Sequence, residues 1–381
     1  MAQPSIAVIA DENGFHTAPF AASARGGHRG FGLALLSALF VVCFAACEDQ
    51  EDLVARRSTG YPPWVEAGQC EDSTETQPSA ATSQVLERLW QNTAERALCI
   101  CQEGLFGGTV DVEALGEVNI GPSGINIERD VSVAGDLYIM GAVQAAPGAQ
   151  LEVGADLWVG QSLLADGVDV FVGGDASLGG ELRVADWAVG GRFVMPDGVP
   201  FLVTGIGVGE PLREAVATPP GCPCDPLSAA QIEAIRAESM EVAPVGDDGV
   251  IAHCGVGRFE PGSMMDELRI TGAGLLLVDG RTAIQGDLLL SAEPGRTLDI
   301  ILTEDLHVAG SLRTLTEGGT VRVYLASTGN LHLAEDGEFS GLLAMPEAEL
   351  LVSQDFQLHG SALVRRLFVE GGGSMVVTDT E

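Results

Sequence analysis

Asp130-Val-Ser-Val-Ala-Gly135-Asp136-Leu-Tyr-Ile-Met-Gly141 is the stretch whose reading decides the fold, because it recurs. Related copies read Asp156-Leu-Trp-Val-Gly160, Asp175-Ala-Ser-Leu-Gly179, Asp305-Leu-His-Val-Ala-Gly310 and Asp355-Phe-Gln-Leu-His-Gly360, with Asp287-Leu-Leu-Leu as a looser copy. The unit is an aspartate, two apolar residues separated by one free position, and a turn glycine. The step is 20 residues from Asp136 to Asp156, 19 from Asp156 to Asp175 and 18 from Asp287 to Asp305.

Around these copies, apolar residues alternate in short pairs such as Ile125/Ile127, Val131/Val133 and Leu137/Ile139. Alternation places both members of a pair on one face of a three- or four-residue strand. Consecutive pairs start six residues apart, so three strands give a turn of about 18 residues around a triangular core, with turns stacking at about 4.8 Å. The pattern predicts an all-β chain, a parallel β-helix (β-solenoid) of roughly 18–20 residues per turn. An antiparallel sandwich is the competing architecture, but it wants strands of about 5–6 residues. The 50 glycines suit many tight turns, and repeat folds lengthen without dividing into domains.

The rhythm fills residues 108–194 and 255–381. Before it, Val85, Leu86, Leu89, Trp90, Ala94, Ala97 and Leu98 follow helical spacing and predict a helix over 82–98, read as a cap on the open end of the solenoid. With the Cys-x-Cys that follows, this capping segment is residues 82–107. Between the repeat tracts, 195–254 reads as a cysteine-rich insertion of loop and helix, with Asp225 as N-cap and Pro226 as first helical residue. The last segment, Met375 to Asp379, is expected to form or cover the final edge.

The N-terminal part carries different information. Arg25-Gly-Gly-His-Arg29 precedes the apolar run Phe31 to Ala46, the layout of a secretory signal over residues 1–46. Phe44-Ala-Ala-Cys47 resembles the lipobox of bacterial lipoproteins, which implies that Cys47 carries the lipid and becomes the new N-terminus. Residues 47–81 are acidic and dotted with Pro, Ser and Thr, as in a flexible tether. The implied address is the cell envelope, with Glu48 after the cysteine favouring the outer membrane or cell surface.

Six further cysteines remain: Cys70, Cys99, Cys101, Cys222, Cys224 and Cys254. An even number in an exported chain predicts disulfides, and the simplest pairing joins Cys99-x-Cys101 to Cys222-x-Cys224 and Cys70 to Cys254. A metal site built from both Cys-x-Cys pairs with His253-Cys254 is the rival.

The short rungs with Gly-Asp turns resemble those of the bactofilins, polymer-forming bacterial proteins built on a triangular right-handed β-helix. From Cys254-Gly255 through Val278-Asp-Gly280 and Gly341-Leu-Leu-Ala-Met-Pro346 to Gly360-Ser-Ala-Leu-Val-Arg-Arg366, the chain resembles a β-solenoid domain of exported myxobacterial proteins and some pilus-associated proteins. These resemblances imply a fold and transfer no catalytic residue.

Net charge is −35, with 19 basic residues, all arginine, against 54 acidic ones. Such a surface repels nucleic acid and anionic headgroups, which excludes nucleic acid as an expected partner and leaves the lipid anchor as the contact with membrane. Envelope proteins or extracellular polysaccharide are the partners a tethered solenoid would meet. No phosphate-loop or Gly-x-Ser-x-Gly motif appears, and the acids form no local cluster with a base and an aromatic sugar platform, so neither catalysis nor a cofactor is expected. The recurring aspartates are read as turn residues bonding their own backbone rather than as calcium ligands. His307, His332 and His359 are expected to point outward, and their differing offsets from the preceding aspartate do not require them to line up.

Overall fold

The computed structural model describes Cys70 and residues 77–207, 210–242, 249–261, 265–315 and 318–379. The signal segment, Cys47 and all of the tether ahead of Cys70 lie outside these residues. Within them the chain is a β-solenoid of about 14 turns with two short helices, α1 (Ala80–Ala94) and α2 (Ala229–Glu238).

The apolar pairs become the inward rungs. In Val131–Val133, Leu137–Ile139, Leu157–Val159 and Ala176–Leu178 the outer two residues are buried and the middle one is not. Every strand pairing among the described residues is parallel, which a sandwich of hairpins could not produce. Three columns of strands run up the stack. Leu98, Val118, Leu137 and Leu157 belong to the first column, Ile125 and Val143 to the second, and Val110, Val131 and Leu151 to the third.

The order in space is not the order in sequence. Strand Arg96–Phe106 lies between the first tract and the end of the second: Leu98 pairs with Val118 on one side and with Ala362 on the other. Likewise Thr109–Val112 pairs with both Val131–Val133 and Ser374–Thr378. The solenoid therefore begins in its own middle. The first tract climbs from that joint, the chain returns along the outside, and the second tract climbs from the far end back to the joint. One apolar core runs through both, from Ile251 and Leu268 to Val364, Ile100 and Leu182.

This topology corrects several expectations. The C-terminal strand covers no edge, because it is sandwiched at the joint. The helix preceding the first tract does not cap an end. Leu86, Leu89 and Trp90 pack instead on the flank of the second tract, with Leu227, Ile232 and Ile235 of the returning chain, over Leu275, Leu277, Ile301, Tyr324 and Ala344. It also stops at Ala94, since Ala97 and Leu98 are drawn into the parallel ladder. The N-cap of α2 is Ser228, in a capping box with Gln231, rather than Asp225. Leu227 stays outside the helix because its N–H donates to the Tyr324 hydroxyl at 2.7 Å.

The repeat also extends past the point where its rhythm fades. Phe201–Val203 stacks on Leu182–Val184, and Leu212 pairs with Val194, so the first tract reaches Arg213. In the second, the strand Val250–Phe259 starts five residues before the sequence rhythm returns, and the short strand Met240–Glu241 already pairs with its Gly257 and Arg258. The Asp287–Asp305 step is no coil either: Leu288 pairs with Leu312, 24 residues on, because longer corners enlarge the lower coils.

Both helices are pinned by charge. Arg236 of α2 holds Asp279 through two bonds of 2.7 Å, and Arg322 holds the buried Asp299 at 2.6 and 2.7 Å while lying 5.3 Å from the Trp90 ring of α1. The Arg236 bonds hold the Asp279 carboxyl below the usual carboxylate range, and bonds from Ser79 do the same for Glu238, which joins the end of α2 to the start of α1. At Asp299 burial pushes the other way and raises the carboxyl, with Arg322 opposing it. For Asp279 and Glu238 the folded pKa lies below the unfolded one. Their contribution is therefore present above the unfolded value of about 4 and is lost as pH falls through the folded values. Amide protection of α1 and α2 is expected to fall in acid before that of the strands, and Asp279→Asn should blunt that pH dependence. Equal loss in helices and strands would contradict this.

Candidate functional site: outward ladders on the solenoid

A β-solenoid presents the middle residue of each rung, repeated coil after coil, so its functional surface is a set of ladders. The corner aspartates form the first. Asp136 Oδ1 accepts from the N–H of Asp156 at 2.9 Å, Asp156 Oδ1 from Asp175 at 2.7 Å, and Asp175 Oδ1 from Arg192 at 2.7 Å. Asp130, Asp186, Asp287 and Asp336 make the same contact to Gln150, Ile206, Ser311 and Asp355. The expectation that these carboxylates bond their own turn is thus wrong in its target. Each accepts from the following coil, whose N–H lies at a corner where the strand ladder is interrupted.

This use of the carboxylate is structural. Asp156→Ala is expected to lower stability by about 1 kcal/mol, the usual worth of a hydrogen bond at an exposed site, while Asp156→Asn keeps an acceptor and most of the stability. Urea midpoints of the two variants measure it; equal midpoints would refute the ladder's role.

The second ladder is aromatic. Tyr138 and Trp158 occupy the free positions of Leu137-Tyr-Ile139 and Leu157-Trp-Val159, stand in register, and have ring centroids 6.1 Å apart. Tyr138 donates to Asp136 Oδ2 at 3.2 Å, and burial together with that carboxylate pushes its phenol up to about 12. The absence of a local aromatic motif in the sequence concealed this pair. The signal was present in the variable position of the repeat, read down the coils rather than along the chain.

A third group lies in a cleft of about 1080 Å³ lined by Glu113, Glu338, Ser340, His359, Thr378 and Asp379 among others. His359 Nδ1 is 2.7 Å from Thr378 Oγ1 and its Nε2 is 3.3 Å from Glu338 Oε1. Ser340, His359 and Thr378 are register neighbours on successive coils. Hydroxyl, imidazole and carboxylate in a row can pass a proton. Glu338 is 61% exposed, however, so water screens the charge that would polarise the ring.

Histidines 307 and 332, which the sequence did not require to line up, are paired in adjacent strands. Their different offsets from the preceding aspartate are absorbed by a 25-residue coil.

The cysteines are distributed as three disulfides: Cys70–Cys254, Cys99–Cys222 and Cys101–Cys224, with Cα separations of 5.6, 5.8 and 5.9 Å. This disposes of the rival metal site, because the two Cys-x-Cys pairs sit at the joint while Cys254 lies in the opening strand of the second tract. Among the described residues, Cys70, Cys254 and Glu293 are the one trio of such side chains close enough to share an ion, and the disulfide consumes both thiols.

No protein-family model matches the sequence, and no curated protein matches it. Among solved structures, the chain is similar to the crystal structure of an ice-binding protein from an Antarctic bacterium, Flavobacteriaceae. The identity is 14% over 80% of this chain and 86% of that one, with a TM-score of 0.20.

Proposed function

We propose that this chain is a noncatalytic cell-envelope lipoprotein, anchored through Cys47 and presenting its β-solenoid as a rigid surface for structural, adhesive or matrix contacts. The observation that carries the reading is the joint. Two tracts share one core and a covalent strap, and the repeating carboxylates are spent on coil-to-coil bonds. Three disulfides suit an oxidising, exported compartment. The lipobox resemblance at Cys47, and the likeness of the C-terminal tract to exported myxobacterial solenoids, support the outer membrane or cell surface as its place.

Mass spectrometry of the mature N-terminus tests the anchor: an acylated Cys47 is expected, and an intact Met1 would refute it. Crosslinking on intact cells followed by identification of partners tests the contact role, with envelope or pilus components as the expected partners.

Polysaccharide binding is the second reading, favoured by the Tyr138–Trp158 pair beside Asp136, since aromatic faces flanked by a carboxylate suit sugar rings and hydroxyls. A glycan array run with and without calcium separates the two. Specific binding that Trp158→Ala abolishes would favour the second, and chain cleavage would overturn the noncatalytic reading.

A further inference from the structure

His307 lies in Leu306–Val308 and His332 in Asn330–Leu333, and the parallel register sets them directly opposite each other. The residues flanking each histidine, Leu306, Val308, Leu331 and Leu333, are buried in the core, so both backbones are fixed and both imidazoles project from the same face. Their ring centroids are 5.0 Å apart. Ser353, one coil further on, meets His332 Nε2 at 3.0 Å and orients that ring.

We propose that His307 and His332 form a two-imidazole chelate for a divalent first-row transition cation, Cu(II) foremost. Two imidazoles held on adjacent strands fill neighbouring positions of a tetragonal ion. Cu(II) prefers nitrogen donors in that geometry and heads the affinity order of the divalent series. Calcium and magnesium take oxygen ligands and so compete poorly for a pair of imidazoles. No third His, Cys or carboxylate among the described residues completes a trio here, so water or a small external ligand fills the remaining positions. The other described histidines are differently placed. His253 is buried with Nε2 3.1 Å from the carbonyls of Gly255 and Leu275, and His359 stands between Glu338 and Thr378.

The probe is Cu(II) iminodiacetate, which offers two adjacent open positions and discriminates against single-histidine sites. It is titrated into the full chain and followed by electron paramagnetic resonance and calorimetry. One strongly bound ion is expected, with two imidazole nitrogens in its spectrum. His307→Ala and His332→Ala should each weaken binding at least about tenfold, with His359→Ala unchanged. His307 is exposed, so its variant folds normally, and His332→Asn provides a second variant that retains a polar contact to Ser353. Wild-type affinity in both His307→Ala and His332→Asn, or no bound ion in the wild type, would overturn the site.

Discussion

Replacing Gly341 by valine is expected to destabilise the fold by more than about 3 kcal/mol, enough to abolish a well-formed second tract. Gly341 sits where the strand Gly337–Val352 turns a corner without breaking, at φ +144°, a region closed to β-branched residues. A Cβ there would lie 1.9 Å from the Val321 carbonyl oxygen of the neighbouring coil. Gly360 repeats the geometry directly above, at φ +142° with 2.0 Å to the Gly341 carbonyl. Backbone thus stacks on backbone at this corner, and the side chain cannot be accommodated by a rotamer change. Gly295 provides the contrast. Its φ is +71° but nothing lies within 4 Å of an added Cβ, so Gly295→Ala should cost only about 1 kcal/mol. Denaturant midpoints of the two variants decide the matter. A Gly341→Val protein as stable as Gly295→Ala would mean that the corner relaxes and that close coil contact is not what glycine provides.

The same contrast between local and stacked information explains what the sequence revealed. The inward pairs, such as Leu137/Ile139 and Leu157/Val159, are legible because alternation over three residues fixes which side chains face the core. The disulfide framework was legible from the Cys-x-Cys spacing. The joint was not. Each end coil offers the same parallel backbone groups and the same apolar rungs, so nothing local says that Leu98 should pair with Ala362 as well as with Val118. The outward ladders were hidden for a related reason. Tyr138 and Trp158, or His307 and His332, become neighbours only once coil length is known, and coil length rises from 19 residues between Val118 and Leu137 to 25 between Leu306 and Leu331. The aspartates misled for the same cause: their positions at turns were plain, but the partner N–H belongs to the next coil.

The cysteines hold this discontinuous stack together, and their removal should produce the other large effect. Because the second tract joins the first only by β-pairing at its upper end, the covalent path that spans it runs outside the core. From Cys254 it passes through the disulfide to Cys70, along α1 to Cys99 and Cys101, across two disulfides to Cys222 and Cys224, and back through α2 to Cys254. The strap is held to the first tract by the paired cysteines and to the second by Leu227, Tyr324 and the Arg236–Asp279 pair. Cys99–Cys222 and Cys101–Cys224 each join residues 123 apart, yet once one is formed the other closes only a short loop. On the chain-entropy account a loop of that length is worth roughly 4–5 kcal/mol. Cys99→Ala/Cys222→Ala should therefore cost far less than the quadruple variant that also removes Cys101–Cys224. The quadruple variant should lose about 4 kcal/mol and raise amide exchange first in residues 96–106 and 361–369, where the tracts meet. If the first pair alone accounts for the whole loss, the two bonds do not share one loop and the strap is not the unit. If exchange instead rises uniformly, the joint is no weaker than any other pair of coils, and its closure depends on β-stacking alone.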